Sequence, residues 1–165
     1  MRPTISKILA LSLILAGACA GSQHATAPTE ANQAAPARKG LQIKLVSVYV
    51  DDQEKALHFY TDVLGFTKKD DFSNGGFRWL SVTDGGSDLQ LALNDNPAAK
   101  AYQQALFEKS QPAVMFYTDD IKADYERIKA KGAEFTMPPT DVTMSTIATL
   151  KDTCGNIVQI TELKR

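Results

Sequence analysis

Side chains that could perform catalysis are few in this chain of 165 residues. There are two histidines, His24 and His58, and two cysteines, Cys19 and Cys154. His24 lies in a polar stretch, which leaves one histidine for the folded part and no Ser-His-Asp set to assemble. Cys154 lies in a Gly-containing turn before the last strand. A reactive thiol needs a base or a positive neighbour, and none can be named, so a structural cysteine is favoured. No catalytic residue can be assigned.

Charged residues point to turns and caps rather than to a charged partner. The pairs Asp51-Asp52, Asp70-Asp71 and Asp119-Asp120 lie at predicted turns, where N-capping explains carboxylates better than metal binding does. The formal net charge is −1, and Lys and Arg form no block. Nucleic-acid binding is therefore not expected.

The N-terminal residues have the pattern of an export signal. Arg2 and Lys7 precede an uncharged apolar run over 8–18, which is too short to span a bilayer and is typical of a signal-peptide core. Small residues then lead to Cys19, an order that resembles the lipobox of bacterial lipoproteins. Residues 1–19 are thus predicted to be a signal peptide. The resemblance implies acylation of Cys19 and anchoring in the cell envelope. The alternative is a soluble secreted protein cleaved after Ala18 or Ala20.

Residues 20–40 are small and polar and lack apolar periodicity, so we predict a flexible tether there. If Cys19 is acylated or removed, Cys154 has no partner for a structural disulfide.

The remaining residues, 41–164, contain one pattern twice. A strand, an Asp pair, a helix and a Gly recur, and Asp84 and Asp152 are as far apart as Asp52 and Asp120. Room for two more strands before each closing strand gives β-α-β-β-β. We predict an α+β fold with module one at 42–94, a connector helix at 96–110 and module two at 112–163. The two modules together are expected to form a curled mixed sheet around a cavity.

Alternate residues of the predicted strands separate into two faces. One face is apolar and is expected to pack on the helices: Val46, Val48, Val50, Leu89, Leu91, Leu93, Val114, Phe116, Val158 and Ile160. The other, called here the mixed face, predicts a ligand cavity lined by Leu45, Ser47, Tyr49, Trp79, Gln90, Met115, Tyr117 and Gln159, with Ala92 also on it. A barrel filled by these side chains is the alternative.

Three segments carry a family resemblance. The run VYVDDQEKALHFYTDVLGF resembles the opening strand and helix of the vicinal-oxygen-chelate superfamily, which includes glyoxalases, extradiol dioxygenases and bleomycin-resistance proteins. VMFYTDDIKADYERIKAKGAEF is similar to the start of that family's second module, and DTCGNIVQI to its closing turn and strand. The resemblance spans about 42–163.

Catalytic members of that superfamily hold a divalent metal with four residues, mostly His and Glu. The resemblance places those positions at Leu45, Gln90, Ala113 and Gln159, none of which is a histidine or a carboxylate. Leucine and alanine offer no ligand atom, and amide oxygens are weak ligands. We therefore expect no metal in the family site and no cofactor.

Three functions follow as hypotheses. The favoured one is metal-free binding of a small organic ligand on the mixed face. The second is a glyoxalase-like lyase, isomerase or dioxygenase that uses non-standard metal ligands, and the third is a structural envelope protein with a filled cavity. The missing ligands count against an enzyme. Members of the superfamily often dimerise, so a homodimer through the connector helix or a strand edge is a further expectation.

Overall fold

The computed structural model describes residues 40–164. The predicted signal peptide, Cys19 and almost all of the predicted tether lie outside them. Module one comprises β1 (Leu45–Val50), α1 (Gln53–His58), a π-helical turn (Phe59–Val63), β2 (Thr67–Asn74), β3 (Phe77–Thr83) and β4 (Asp88–Leu93). The connector helix α2 spans Pro97–Glu108. Module two comprises β5 (Pro112–Tyr117), α3 (Ile121–Ala130), β6 (Phe135–Asp141), β7 (Ser145–Lys151) and β8 (Ile157–Leu163). No helix within 40–164 has the length and apolar character needed to cross a membrane.

Each module forms its own four-stranded mixed sheet. The orders are β1-β4-β3-β2 and β5-β8-β7-β6, with β1 parallel to β4 and β5 parallel to β8. The predicted α+β class and the two βαβββ modules are confirmed. The sheets do not close into a barrel, and β1 and β5 are each an outer strand.

Capping residues start the helices where the sequence predicts. The Asp52 carboxylate accepts from the backbone N–H groups of Glu54 and Lys55 at the start of α1. Asp120 does the same for α3 through Ala123, and Asn96 precedes Pro97 at the start of α2. Side-chain acceptors satisfy N–H groups that have no partner within the helix.

The end of the first helix differs from the prediction of one α-helix. Its last turn is π-helical, with the Leu64 N–H donating to the Phe59 carbonyl at 3.0 Å. The wider turn buries Phe59 and Tyr60 together, although they are adjacent in sequence. Gly65 follows with φ +96°, as expected for the left-handed residue that ends a helix.

The core lies on the apolar faces of the two sheets. Val48, Val50, Leu91 and Val158 are buried, as their positions in the alternation predict. The expectation was wrong for two residues of the predicted apolar face, Val46 (48% exposed) and Leu93 (44% exposed). Val46 is the second residue of β1 and Leu93 the last residue of β4, so each lies near a strand end.

The modules are bonded to each other through buried polar groups. The Tyr60 hydroxyl donates to Asp152 Oδ2 at 3.3 Å, and its ring packs edge-on against Phe116 of β5 at 6.4 Å. Across the described part of the chain, no buried side-chain nitrogen or oxygen lacks a hydrogen-bond partner. The buried polar side chains that support the mixed face are therefore all hydrogen-bonded.

Candidate functional site

The module-one half of the mixed face is built on β1, β4 and β3. Ser47 pairs with Gln90 in the parallel register, and its hydroxyl donates to Gln90 Oε1 at 2.6 Å. Two residues along β1, Tyr49 pairs with Ala92. Directly paired residues share a face, so a small side chain lies beside the Tyr49 ring. This leaves space above the strand.

Two aromatic rings form a platform on the same half. Trp79 of β3 pairs with Phe72 of β2, and the rings stack with their centroids 6.2 Å apart and an interplanar angle of 13°. Trp79 is half-buried and Phe72 is 57% exposed. Exposed, parallel rings of this kind offer a surface on which a planar ligand can stack.

The module-two half contains an amide and a hydroxyl among larger side chains. Met115 pairs with Gln159 and Tyr117 with Thr161, and the Gln159 amide donates to Thr161 Oγ1 at 3.0 Å. Met115 is 59% exposed and Tyr117 71%. These two side chains are therefore available to a partner molecule.

The two halves lie on different sheets, and a few residues of each line a cleft. Ser47 and Tyr49 line a cleft of about 320 Å³ that α2 completes with Tyr102 and Leu106. Ala113 of β5 lines the same cleft. Tyr117 lines another of about 760 Å³ beside residues near the end of β8. Neither of these two clefts is lined by Trp79, Gln90, Met115 or Gln159. Leu45 is half-buried at the start of β1.

The residues at the family's metal positions do not fit a divalent ion. Leu45 and Ala113 supply no ligand atom, and the oxygen of Gln90 already accepts the Ser47 hydroxyl. Between residues 40 and 164, no three His, Cys, Asp or Glu side chains are placed to hold a metal ion. His58 is largely exposed, with its Nε2 3.5 Å from Asp62. No catalytic step through a metal can be derived from these donors.

Cys154 and Asp152 occupy the turn before β8, and both are buried. Burial, and secondly the Asp152 carboxylate, raise the pKa of the Cys154 thiol to about 12. The Asp152 carboxylate accepts from the backbone N–H groups of Cys154 and Asn156. A thiol with so high a pKa is a poor nucleophile, so the structure supports a structural role for this cysteine.

Three further residues of the mixed face were not among the predicted site residues. Phe72 and Asp70 lie on β2, and Ser81 lies on β3 opposite Gln90. The alternation Asp70, Phe72, Asn74 could have indicated them. A register shift in β2 between Lys68 and Asp71 interrupts that alternation, however.

Comparison with known proteins assigns the fold to a family. A family model described as the glyoxalase/bleomycin resistance protein/dioxygenase superfamily matches residues 42–160. The chain belongs to this superfamily. Within it, a relative that is 44% identical over 126 residues is the uncharacterized protein YurT of Bacillus subtilis, with 74% of this chain and 99% of that protein covered. The domain therefore makes up practically the whole of YurT.

Solved members of the superfamily share the architecture. One is described as TnmS3, an antibiotic binding protein from Streptomyces sp. CB03234. It is 27% identical, has a TM-score of 0.61, and the match covers 77% of this chain and 99% of that one. Another, UcmS2, is 24% identical with a TM-score of 0.66 over 74% and 98% of the two chains, and shows the fold alone.

Proposed function

We propose that this superfamily member binds a small organic molecule on the mixed face without a metal ion. The observation that carries the proposal is the exposed aromatic platform of Trp79 and Phe72 beside the Ser47–Gln90 hydrogen bond. Flat apolar surface next to a few oriented polar groups is typical of ligand sites. That TnmS3 is described as antibiotic-binding supports the same class of function.

Binding is tested with the fluorescence of Trp79, the chain's one tryptophan. Residues 40–165 are titrated with a panel of planar organic molecules, and saturable quenching is expected for some of them. Phe72→Ala should weaken a quenching ligand by about 1 kcal/mol, because one stacked ring is lost. Phe107→Ala, at an exposed ring of α2 that does not stack on Trp79, serves as the control. Absence of saturable quenching across the panel would contradict the proposal.

Metal independence is tested by elemental mass spectrometry after incubation with Zn²⁺, Ni²⁺, Mn²⁺ and Fe²⁺ and then desalting. We expect far less than one metal ion per chain, because the four family positions lack ligands. The variant L45H/Q90E/A113H/Q159E restores a histidine and carboxylate set and is the positive control. Near-stoichiometric metal in the unaltered domain would overturn the metal-free proposal and support an enzyme.

We further propose that two copies associate, so that the module-one half of one faces the module-two half of the other. Support comes from the exposure of Tyr49 (38%), Met115 and Tyr117, and from the position of β1 and β5 as outer strands. Light scattering should give a particle mass equal to two chains. The double variant M115K/Y117K should reduce that mass to one chain. Phe107→Lys, on α2 and outside the cleft that Ser47 and Tyr49 line, tests the connector helix as the alternative interface. A monomer at all concentrations would exclude the arrangement.

Export and acylation at Cys19 are proposed from the N-terminal residues alone. The full chain, expressed in a bacterium, is expected in the membrane fraction with a lipid mass on Cys19. Cys19→Ala should release it from that fraction. A soluble product starting at residue 19 or 21 would instead support ordinary cleavage after Ala18 or Ala20.

A further inference from the structure

Asp70 is a carboxylate of the mixed face, hydrogen-bonded to Ser81 of β3. Its Oδ2 accepts from the Ser81 hydroxyl at 3.0 Å, and its own backbone N–H donates to the same hydroxyl oxygen at 3.2 Å. Ser81 pairs with Gln90, which pairs with Ser47. Because paired residues share a face, the Asp70 carboxylate lies at the edge of the face that carries the Ser47–Gln90 bond.

The cation next to Asp70 on the chain bonds another carboxylate. The Lys69 ammonium is 2.6 Å from Asp88. The Arg78 guanidinium is on the helix side of the sheet, where it makes paired bonds of 2.8 and 2.9 Å to Asp71. The Asp88 hydrogen bond is also the main cause of the raised pKa of Lys69, to which Asp70 contributes less. Asp70 accepts a hydrogen bond from a neutral hydroxyl, and in the described part of the chain no cation lies within ion-pair distance of its carboxylate, so an ammonium group of a ligand could make that contact.

The aromatic platform lies within reach of this carboxylate. Trp79 is two residues from Ser81 along β3, and Phe72 is two residues from Asp70 along β2. Two residues of a strand span about 7 Å. If an aromatic ligand stacks on this platform, a substituent that is joined to its ring through one or two bonds would therefore lie close to Asp70. Aromatic faces also attract cations, which adds to the preference.

We infer that the ligand of the mixed face is a planar aromatic molecule bearing a protonated amine, and that Asp70 is its counter-charge. Asp70 is partly exposed, so an ammonium group can reach it without displacing a buried residue. The inference rests on the proposed function, because it names the class of molecule bound at the same face.

The test uses three probes with one ring system and three charges: 1-naphthylmethylammonium, 1-naphthylmethanol and 1-naphthylacetate. Residues 40–165 are titrated with each, and affinity is read from the shift of the Trp79 indole N–H resonance and by calorimetry. The ammonium probe should bind about tenfold tighter than the alcohol, and the acetate more weakly than both. Asp70→Asn keeps the side-chain shape and an acceptor for the Ser81 hydroxyl. It should lower the affinity for the ammonium probe to that for the alcohol.

The control variant is Asp95→Asn, an exposed acid before α2, which should leave all three affinities unchanged. Equal binding of ammonium and alcohol, or an ammonium preference that survives Asp70→Asn, would overturn the role of Asp70 while leaving ligand binding intact. If no probe shifts the Trp79 resonance while other planar molecules quench Trp79 saturably, this inference fails and the proposed function stands; if the whole panel also gives no saturable quenching, both fail.

Discussion

The side-chain nitrogen of Gln103 lies 2.7 Å from the backbone carbonyl oxygen of Cys154, which joins the connector helix to the closing turn of module two. The same nitrogen is 2.9 Å from the carbonyl oxygen of Tyr49 in module one. Gly155, next in the turn, has φ +88°, and a Cβ there would lie 3.0 Å from the Gln103 nitrogen. Both the backbone conformation and the space favour glycine at that position.

Replacing Gln103 by alanine should destabilise the domain. Gln103 is buried, and its loss would leave the two carbonyl groups and the Asn94 amide, which donates to Gln103, without that partner. We expect a loss of about 2 kcal/mol in the free energy of unfolding, measured by urea denaturation of residues 40–165. Gln104→Ala is the matched control, since its exposed amide bonds only Glu108 on the same helix. Equal effects from the two variants would show that the buried bonds to the modules contribute little.

Asp152→Asn should lower stability, and more so in acid than at neutral pH. In the unaltered protein the Asn156 amide donates to Asp152 Oδ2 at 2.7 Å. In the variant an amide nitrogen would take the place of that oxygen, and two hydrogen-bond donors would face each other. We expect a loss of about 2 kcal/mol at pH 7.

The pH dependence follows from the pKa of Asp152, which burial raises. At pH values just above 3.9, the approximate pKa of an ordinary aspartate, Asp152 binds a proton more tightly in the folded state than in the unfolded chain. The contribution of Asp152 to the unfolding free energy therefore falls as pH rises through that window and is greatest below it. Asparagine does not titrate, so the stability gap between the two proteins should widen as pH falls from 7 to 4. A gap that narrows in acid would contradict the raised pKa.

Cys154 should resist alkylation in the folded domain. With its pKa raised to about 12, the thiolate fraction at pH 8 is about a thousandfold below that of an ordinary cysteine. Labelling of residues 40–165 by iodoacetamide should be slow until denaturant unfolds the chain. The control combines Cys154→Ala with Ser73→Cys, which places an exposed thiol on β2. Equal labelling rates for the two folded proteins would exclude a buried, protonated thiol.

Local patterns in the sequence predict most of the fold because each element carries its own signal. Asp52 and Asp120 cap helices, Gly65 ends one, and the alternation of Val48 and Val50 identifies the buried face of β1. The π-helical turn was not predictable from spacing; it contains Tyr60, whose hydroxyl bonds Asp152 of module two. That contact joins residues far apart in the chain, and no local pattern records it.

The candidate site was predictable only in part for the same reason. Alternation along single strands places Ser47, Gln90 and Gln159 on the mixed face. Asp70 and Phe72 were left out of the predicted site, because the alternation of β2 is interrupted by a register shift between Lys68 and Asp71. Alternation within one strand also does not determine the relative orientation of the two sheets. That orientation decides whether the two halves of the mixed face meet within one chain or between two chains.

Arg78→Ala should raise the pKa of Asp71 and flatten the acid dependence of stability. Arg78 makes two hydrogen bonds to the Asp71 carboxylate and lowers its pKa to about 2, with a smaller contribution from Lys68. A lowered carboxyl pKa contributes stability that is present above the ordinary value of about 3.9 and is lost as pH falls toward 2. Without Arg78, carboxyl-carbon NMR titration should place the Asp71 pKa close to its ordinary value, and less stability should be lost between pH 4 and pH 2.

Lys68→Ala is the matched control, because its ammonium lies 3.4 Å from the same carboxylate but makes one contact where Arg78 makes two. We expect it to move the pKa of Asp71 by less than Arg78→Ala does. An Asp71 pKa that stays near 2 in the Arg78 variant would mean that other groups hold the carboxylate ionised. The mixed face should be unaffected in either case, since the Arg78 side chain also reaches Glu54 of α1, on the helix side of the sheet.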